Sequence, residues 1–386
     1  MKKSLVLLSA MVWLAGCSSE DEVEQAEKVN EEAEKVDEEN EMDSLKRDFP
    51  DAEFASGVAR QWFRLAPQLE SSSEDSYLWL LNGKEISTDK ECVHVFAAAG
   101  NHVLTFIVTN AEGLSERHFI VQIDEPAQAH GSWTNRVYEF VRAPGQFANT
   151  FPVIPPRSTY ESVLKTVEDT MLSRELISLG GYGGYIVMGF DHTVVNGPGN
   201  DFVVHGNAFY GWAEPGVVEV SWDANGNGLS DDPWYEIAGS EYNAPTALHN
   251  YALTYYKPAT DTGREVGAKG VRWTDNQGRT GYTPEETADM IGWPRWLGDT
   301  LVVGGSIYER SGLSAFAFGY ADNWPNDDAL AQIDIDWAVD KNGKPANLKG
   351  IDFVRVYTGV FSFSAGEDGI FGEISTEVTG AEDLSL

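Results

Sequence analysis

Cysteine is nearly absent from this chain: there are two in 386 residues, Cys17 and Cys92. A disulfide-stapled scaffold is excluded, and stability has to come from buried apolar area. Positive charge is scarce as well, with 27 Lys and Arg against 61 Asp and Glu, a net charge of −34. The bases form no cluster, which argues against partners that are polyanions, whether nucleic acid or anionic lipid headgroups. After Cys17 no run is long and apolar enough to cross a bilayer as a helix. Hydrophobic residues still make up 42% of the chain, enough for about two domains.

The start of the chain carries an address. Lys2 and Lys3 precede an apolar run from Leu5 to Leu14, which ends in Leu14-Ala15-Gly16-Cys17. The run is too short for a stable spanning helix and has the flanks of an export signal. The tetrad resembles the lipobox of bacterial lipoproteins. That resemblance implies removal of residues 1–16 as a signal peptide and acylation of Cys17, with lipid as the anchor. Cys92 is then the one remaining thiol, and its alternating surroundings fit a buried structural cysteine. Between Glu20 and Asp43, Lys28 and Lys35 are the only bases in a dense acidic run. Like charges at that density bury nothing, so residues 17–47 are expected to be a solvated tether. An acidic stretch directly after the cysteine also resembles the export signal that sends lipoproteins of Bacteroidota to the cell surface.

Residues 48–125 read as a small antiparallel sandwich. Strand signals fall at Tyr77–Leu81, Cys92–Phe96, His102–Val108 and His118–Ile123, with turns at Asn82-Gly83, Gly100-Asn101 and Asn110–Gly113. Residues 133–386 read as a larger all-β unit. Its single helix is predicted from Ser158, with Glu161 three residues on as a capping box, to Gly180-Gly181. Strands are predicted over Tyr185–Phe190, Phe202–His205, Val217–Trp222, Ala315–Phe318, Ile333–Trp337 and Ile351–Tyr357. Many short strands, abundant glycine and one early helix predict a jelly-roll-like β-sandwich.

Two resemblances accompany this reading. Tyr77–Gly83, Ala99–Thr105 and Val108–Asn110 look like a PKD-type immunoglobulin-like domain, which implies a spacer. Leu179–Val187, Gly189–Asn196, Asn200–Phe202, Gly206–Phe209, Glu214–Val218, Trp234–Glu236, Trp273–Gly278 and Gly372–Val378 resemble a family of Bacteroidota cell-surface lipoproteins with an N-terminal PKD-like module. The resemblance implies an outer-membrane setting, uptake of a scarce nutrient through a TonB-dependent porin, and an association with corrinoids.

Local chemistry centres on Asp223–Asp232. Oxygen donors at Asp223, Asn225, Asn227 and Asp231, the backbone carbonyl of Leu229 and a glycine at the sixth position, Gly228, match the first part of an EF-hand-type loop for Ca²⁺. The twelfth position is Trp234, so Asp232 or Glu236 would have to close the site. The other reading is a polar Asn-Gly hairpin without metal. Asp191-His192 and His205 match no metal-ligand spacing, and no carboxylate is marked as half of a glycosidase pair. Gly180–Gly184 lacks the lysine and following helix of a phosphate loop. The segment from Asn243 to Asp299 breaks strand periodicity and is rich in aromatic residues. It is expected to be a long ligand-binding loop, with Trp273, Trp293, Arg295 and Trp296 as contacts and most of its other rings packed beneath it. Together with the family resemblance, these features predict a non-catalytic surface lipoprotein that captures a nutrient, and the resemblance puts a corrinoid ahead of a glycan. A glycan hydrolase and a calcium-dependent adhesin or scaffold are the alternatives.

Overall fold

The computed structural model describes residues 41–69, 74–145, 147–148, 150–155, 158–258, 270–283, 296, 298–309, 314–360 and 375–386. Cys17, the acidic run to residue 40, Trp293 and Arg295 lie outside the described residues. The protein is all-β, with a helical stretch α1 over residues 41–48 and a longer helix α2 over Tyr160–Leu172. It divides into two compact units. The first takes the chain up to Gly57 with Leu65–Cys92 and Ala99–Asp124. The second takes Val58–Arg64, Val93–Ala98 and Glu125–Leu386. Two short segments expected in the first domain therefore group with the second.

Strands β1 (Glu53–Val58), β2 (Trp62–Leu65), β3 (Ser76–Leu81), β4 (Lys84–Ser87), β5 (Cys92–Val95), β6 (Gly100–Asn110) and β7 (Gly113–Asp124) come first in the chain. A five-stranded sheet runs β1-β7-β6-β3-β4, and β2 pairs with β5. Asn82 and Gly83 have φ of 50° and 83°, the left-handed pair that a tight hairpin requires, so β3 turns directly into β4. Gly100-Asn101 is not a turn. Both residues pair with Ile123 and Gln122 and begin β6, because the β6–β7 ladder runs the full length of both strands. Trp79 is fully buried and stacks on Phe106 at 4.3 Å, next to Phe119. Cys92 is buried and forms no disulfide among the described residues, as its alternating surroundings predicted.

The second unit contains β8 (Arg136–Val141), β9 (Ile177–Ser178), β10 (Tyr185–Val195), β11 (Phe202–His205), β12 (Gly216–Ser221), β13 (Tyr235–Ile237), β14 (Leu248–Tyr256) and β15 (Arg272–Asp275). It continues with β16 (Thr280–Tyr282), β17 (Thr300–Ile307), β18 (Tyr320–Ala321), β19 (Gln332–Ile333), β20 (Ala338–Val339), β21 (Gly350–Thr358), β22 (Glu377–Val378) and β23 (Gly380–Asp383). The main sheet runs β20-β13-β12-β21-β10-β8, with β18 also paired to β12. Strand alternation sends Ile186, Met188, Val218, Val220, Val354 and Val356 to one face. They pack there with Val163, Val167 and Met171 of α2 and with Phe202, Val204, Ile333 and Ala381 of the β19-β11-β23 sheet. That cluster is the core of the sandwich. The opposite face carries Val217 and Tyr357 against Tyr308, Phe316 and Tyr320.

Three local outcomes differ from the sequence expectation. Helix α2 is capped by Thr159, whose Oγ1 accepts the Ser162 N–H at 3.2 Å, while Ser158 Oγ donates to the Pro155 carbonyl. It ends at Leu172, short of the glycines. Arg174 takes φ of 59°, and the N–H groups of Arg174 and Glu175 close back on Met171 and Thr170 in a Schellman arrangement. Ile333–Trp337 is not one strand, because the Asp334 side chain accepts the Asp336 N–H and starts a 3-10 turn over Ile335–Trp337. Ala315–Phe318 forms no strand; the Asn323 amide binds both the N–H and the carbonyl of Phe316.

Candidate functional site

Among the described residues of the second unit, the most exposed aromatic group is a four-residue turn. Phe209 and Trp212 exchange both backbone hydrogen bonds, at 3.1 and 2.8 Å, and close the turn around Tyr210-Gly211. Gly211 has φ of 84° with open space where a Cβ would sit, the conformation required at the third position of a type II turn. The turn lifts Phe209 to 56% and Tyr210 to 69% exposure. Phe209 stacks on Trp212 at 5.6 Å, and Tyr210 meets the edge of Trp324 at 6.1 Å. Asp328 accepts the Tyr210 hydroxyl at 2.7 Å, which pushes that phenol up from its ordinary pKa.

The turn is held from both sides by residues 322–326. Asp322 Oδ1 accepts the N–H groups of Asn207 and Ala208, each at 2.9 Å. Asn326 bonds both the N–H and the carbonyl of Gly206, and Glu214 N–H donates to the Asp322 carbonyl. The rings are therefore presented on a pre-positioned backbone. Asp322 is buried with Glu214 and Glu377 near it, and burial first, then the Glu214 charge, pushes its carboxyl up to about 8.

The two described aromatic contacts singled out in the sequence, Trp273 and Trp296, fall elsewhere. Asn243–Asp299 is not one long loop: β14, β15 and β16 join β17 in a four-stranded sheet ordered β16-β15-β14-β17. Tyr251, Leu253 and Tyr255 alternate inward on β14, and Trp273 packs with them at 9% exposure. Trp273 is thus part of a core, and its face is not open to a ligand. Trp296 is half-buried and packs against the same cluster.

The Asp223–Asp232 loop is closed by its own hydrogen bonds. Asp223 Oδ1 accepts from the N–H groups of Gly226 and Asn227, and Oδ2 from that of Gly228. Asn225 and Asn227 turn their amide nitrogens to Asp231, while their oxygens accept the N–H groups of Asn227 and Leu229. Asp232 Oδ2 accepts the Ala224 N–H at 3.0 Å. Glu236 is removed as a closing ligand: its carboxylate accepts Ser306 Oγ and the Tyr308 hydroxyl inside the fold. A cation in this loop requires the Asn225 and Asn227 amides to rotate their oxygens toward Asp231.

Beside this loop lies a cleft of about 240 Å³, lined by residues that include Trp62, Tyr138, Phe190, His192 and Asp352. Asp352 organises it, accepting Trp62 Nε1 at 2.7 Å, Thr193 Oγ1 at 2.6 Å and the Asp223 N–H at 2.6 Å. Burial pushes the Asp352 carboxyl up. At one edge Asp191 and His192 are joined by His130, a neighbour not foreseen from the sequence. A second pair of carboxylates, Glu219 and Glu236, faces across β12 and β13. Burial raises both, but Glu219 is ion-paired with Arg355 and Glu236 is bound by Ser306 and Tyr308, so neither is free for acid or base work. His205 is likewise engaged, with Glu382 at 2.9 Å, and it stacks on Trp133.

Residues 1–18 match the family model described as the prokaryotic membrane lipoprotein lipid attachment site. The chain is thus a lipoprotein by its N-terminal signal and an all-β sandwich by its fold. Comparison with curated proteins yields no significant match. Among solved structures, it is similar to a quinonprotein alcohol dehydrogenase-like protein from Bacteroides thetaiotaomicron, at 14% identity and a TM-score of 0.18, over 59% of this chain and 46% of that one. It therefore spans less than half the length of that protein. A surface glycan-binding protein of the Bacteroides ovatus mixed-linkage glucan utilization locus is similar at 10% identity and a TM-score of 0.18, over 79% and 94% of the two chains. A SusE-like protein is similar at 8% identity and a TM-score of 0.27, over 85% and 95%.

Proposed function

We propose that this is a lipid-anchored, non-catalytic binding protein of the outer membrane, facing the cell exterior and capturing a glycan on the aromatic turn. The observation that carries this reading is the exposure of Phe209 and Tyr210 on a turn fixed by Asp322 and Asn326. Sugar C–H faces pack on aromatic rings, and carboxylates and amides at the rim bind the hydroxyls. Asp328 and the neighbouring Asn207 and Asn326 supply such groups. A glycan is favoured over a corrinoid because the platform is a narrow strip of exposed rings rather than an enclosing pocket. Delivery to a TonB-dependent porin fits this role, and Ca²⁺ in the Asp223 loop would serve to stiffen it.

The test is a titration of the full chain in detergent with a panel of soluble glycans and with cyanocobalamin. Binding of a glycan that is lost on Phe209→Ala and Tyr210→Ala supports the reading. Cyanocobalamin as the sole binder overturns it in favour of a corrinoid, and turnover of a glycan overturns it in favour of an enzyme. Cys17→Ala should release the protein from the membrane fraction, and antibody labelling of intact cells tests the outward orientation.

A further inference from the structure

The cluster of His130, Asp191 and His192 has the donor set and the support of a metal centre. Asp191 Oδ1 lies 2.8 Å from His192 Nδ1 and 3.2 Å from His130 Nδ1. The two rings lie alongside each other at 4.9 Å, so both nitrogens face one carboxylate oxygen. On its far side His192 Nε2 meets Asp383 Oδ2 at 2.9 Å, and Asp383 also accepts Arg60 at 2.8 Å. An imidazole that donates one N–H to a carboxylate is fixed in ring orientation and tautomer, and its other nitrogen is left to a metal. The His192 side chain is fully buried and that of His130 is 11% exposed, whereas the Asp191 side chain is 38% exposed and opens the cluster to solvent. Among the described residues His130 Nε2 is buried with no hydrogen-bond partner, so the Asp191 carboxylate is the described polar neighbour that places this ring.

We infer that His130, Asp191 and His192 bind a divalent transition cation of the zinc class, with Asp383 as a positioning residue and a fourth coordination place open toward solvent. One ligand atom from each residue lies within 4.8 Å of the others. Tetrahedral zinc, with bonds of roughly 2.0–2.1 Å, needs its ligand atoms roughly 3.3 Å apart, which small side-chain rotations supply. Two imidazoles and a carboxylate suit zinc, whereas Ca²⁺ takes about six to eight oxygens, of which this cluster offers few. Zinc displaces any proton from the ligand nitrogens, and the displaced protons leave to solvent. The site is independent of the glycan-binding turn, so neither reading depends on the other.

The test is calorimetric titration of the full chain in detergent, stripped of metal, with Zn²⁺, and with Co²⁺ as an optical reporter of coordination. The wild type should take up one zinc at this site and give the intense visible bands of tetrahedral Co²⁺. His130→Ala removes a side chain whose described hydrogen bond is the one to Asp191, so the fold should persist by circular dichroism while that zinc and the cobalt bands are lost. Asp383→Asn should weaken zinc roughly 10–100-fold by loosening the His192 ring. Asp223→Ala should leave zinc binding unchanged. Wild-type protein that binds no zinc, or a folded His130→Ala variant with unchanged zinc uptake, overturns the inference.

Discussion

Asp322 holds Ala208 from more than a hundred residues away: one of its carboxylate oxygens accepts the Ala208 N–H at 2.9 Å, one residue before the exposed Phe209. The same oxygen binds Asn207, and the other oxygen accepts the Glu377 N–H. A buried carboxyl thus joins the base of the aromatic turn to β22 at the end of the chain.

That position makes stability depend on pH. Burial and the Glu214 charge raise the Asp322 carboxyl to about 8 in the folded protein. The folded state therefore prefers the protonated form. This contribution is full below the ordinary carboxylate pKa near 4 and is lost as pH rises toward 8, with a slope of at most about 1.4 kcal/mol per pH unit. Denaturant unfolding between pH 6 and 8 should show stability falling with pH, and Asp322→Asn should flatten that slope. An equal slope in both proteins would remove Asp322 as its source.

Ring deletion on the turn should affect binding far more than folding. Phe209 and Tyr210 are exposed, so truncation removes little core, while an anchor ring in a binding site contributes roughly 2 kcal/mol. Phe209→Ala should weaken glycan binding by more than tenfold with the melting temperature nearly unchanged. Trp273→Ala should do the reverse, because that ring lies in the core of the β14–β17 sheet. A Phe209→Ala protein with wild-type affinity would move the site off the turn.

Much of this fold was legible because strand alternation and paired-turn chemistry are local. Asn82-Gly83 and the apolar strand through Val217, Val218 and Val220 could be read directly. Other features depended on distant partners. Tyr251, Leu253 and Tyr255 do alternate, but only the pairing of β14 with β15 and β17 turns that short pattern into a sheet. The aromatic turn is not legible in the sequence because four residues carry no periodicity, although Phe209-Tyr210-Gly211-Trp212 is a dense aromatic cluster around a glycine. His130 stands in a linker, and nothing in its surroundings points to Asp191 or His192. Sequence spacing detects metal ligands on one element and misses those that the topology brings together.

The start of α2 offers a direct check on cap chemistry. Thr159 supplies the oxygen that binds the Ser162 N–H, and Ser158 binds the Pro155 carbonyl outside the helix. Thr159→Ala should destabilise the second unit by about 1 kcal/mol, and Ser158→Ala by less. Val163, Val167 and Met171 of this helix pack into the sandwich core, so fraying is felt there. Equal losses for the two variants would restore Ser158 as the cap.

Calcium should act on the Asp223 loop through folding. The loop is tied to β21, since the Asp223 N–H donates to Asp352 at 2.6 Å, and its carboxylate gathers the N–H groups of Gly226, Asn227 and Gly228. An ion that binds only this folded arrangement raises the melting temperature, with stabilisation growing as the logarithm of ligand excess over its dissociation constant. The Asn225 and Asn227 side chains must rotate to offer oxygen, so binding should be weak, in the range of roughly 10⁻⁴–10⁻³ M found for extracellular modules. Asp223→Ala should abolish the calcium-dependent rise, whereas Glu236→Gln should preserve it, because Glu236 is held by Ser306 and Tyr308 away from the loop. A melting temperature indifferent to millimolar Ca²⁺ would leave the loop as a turn closed by its own hydrogen bonds.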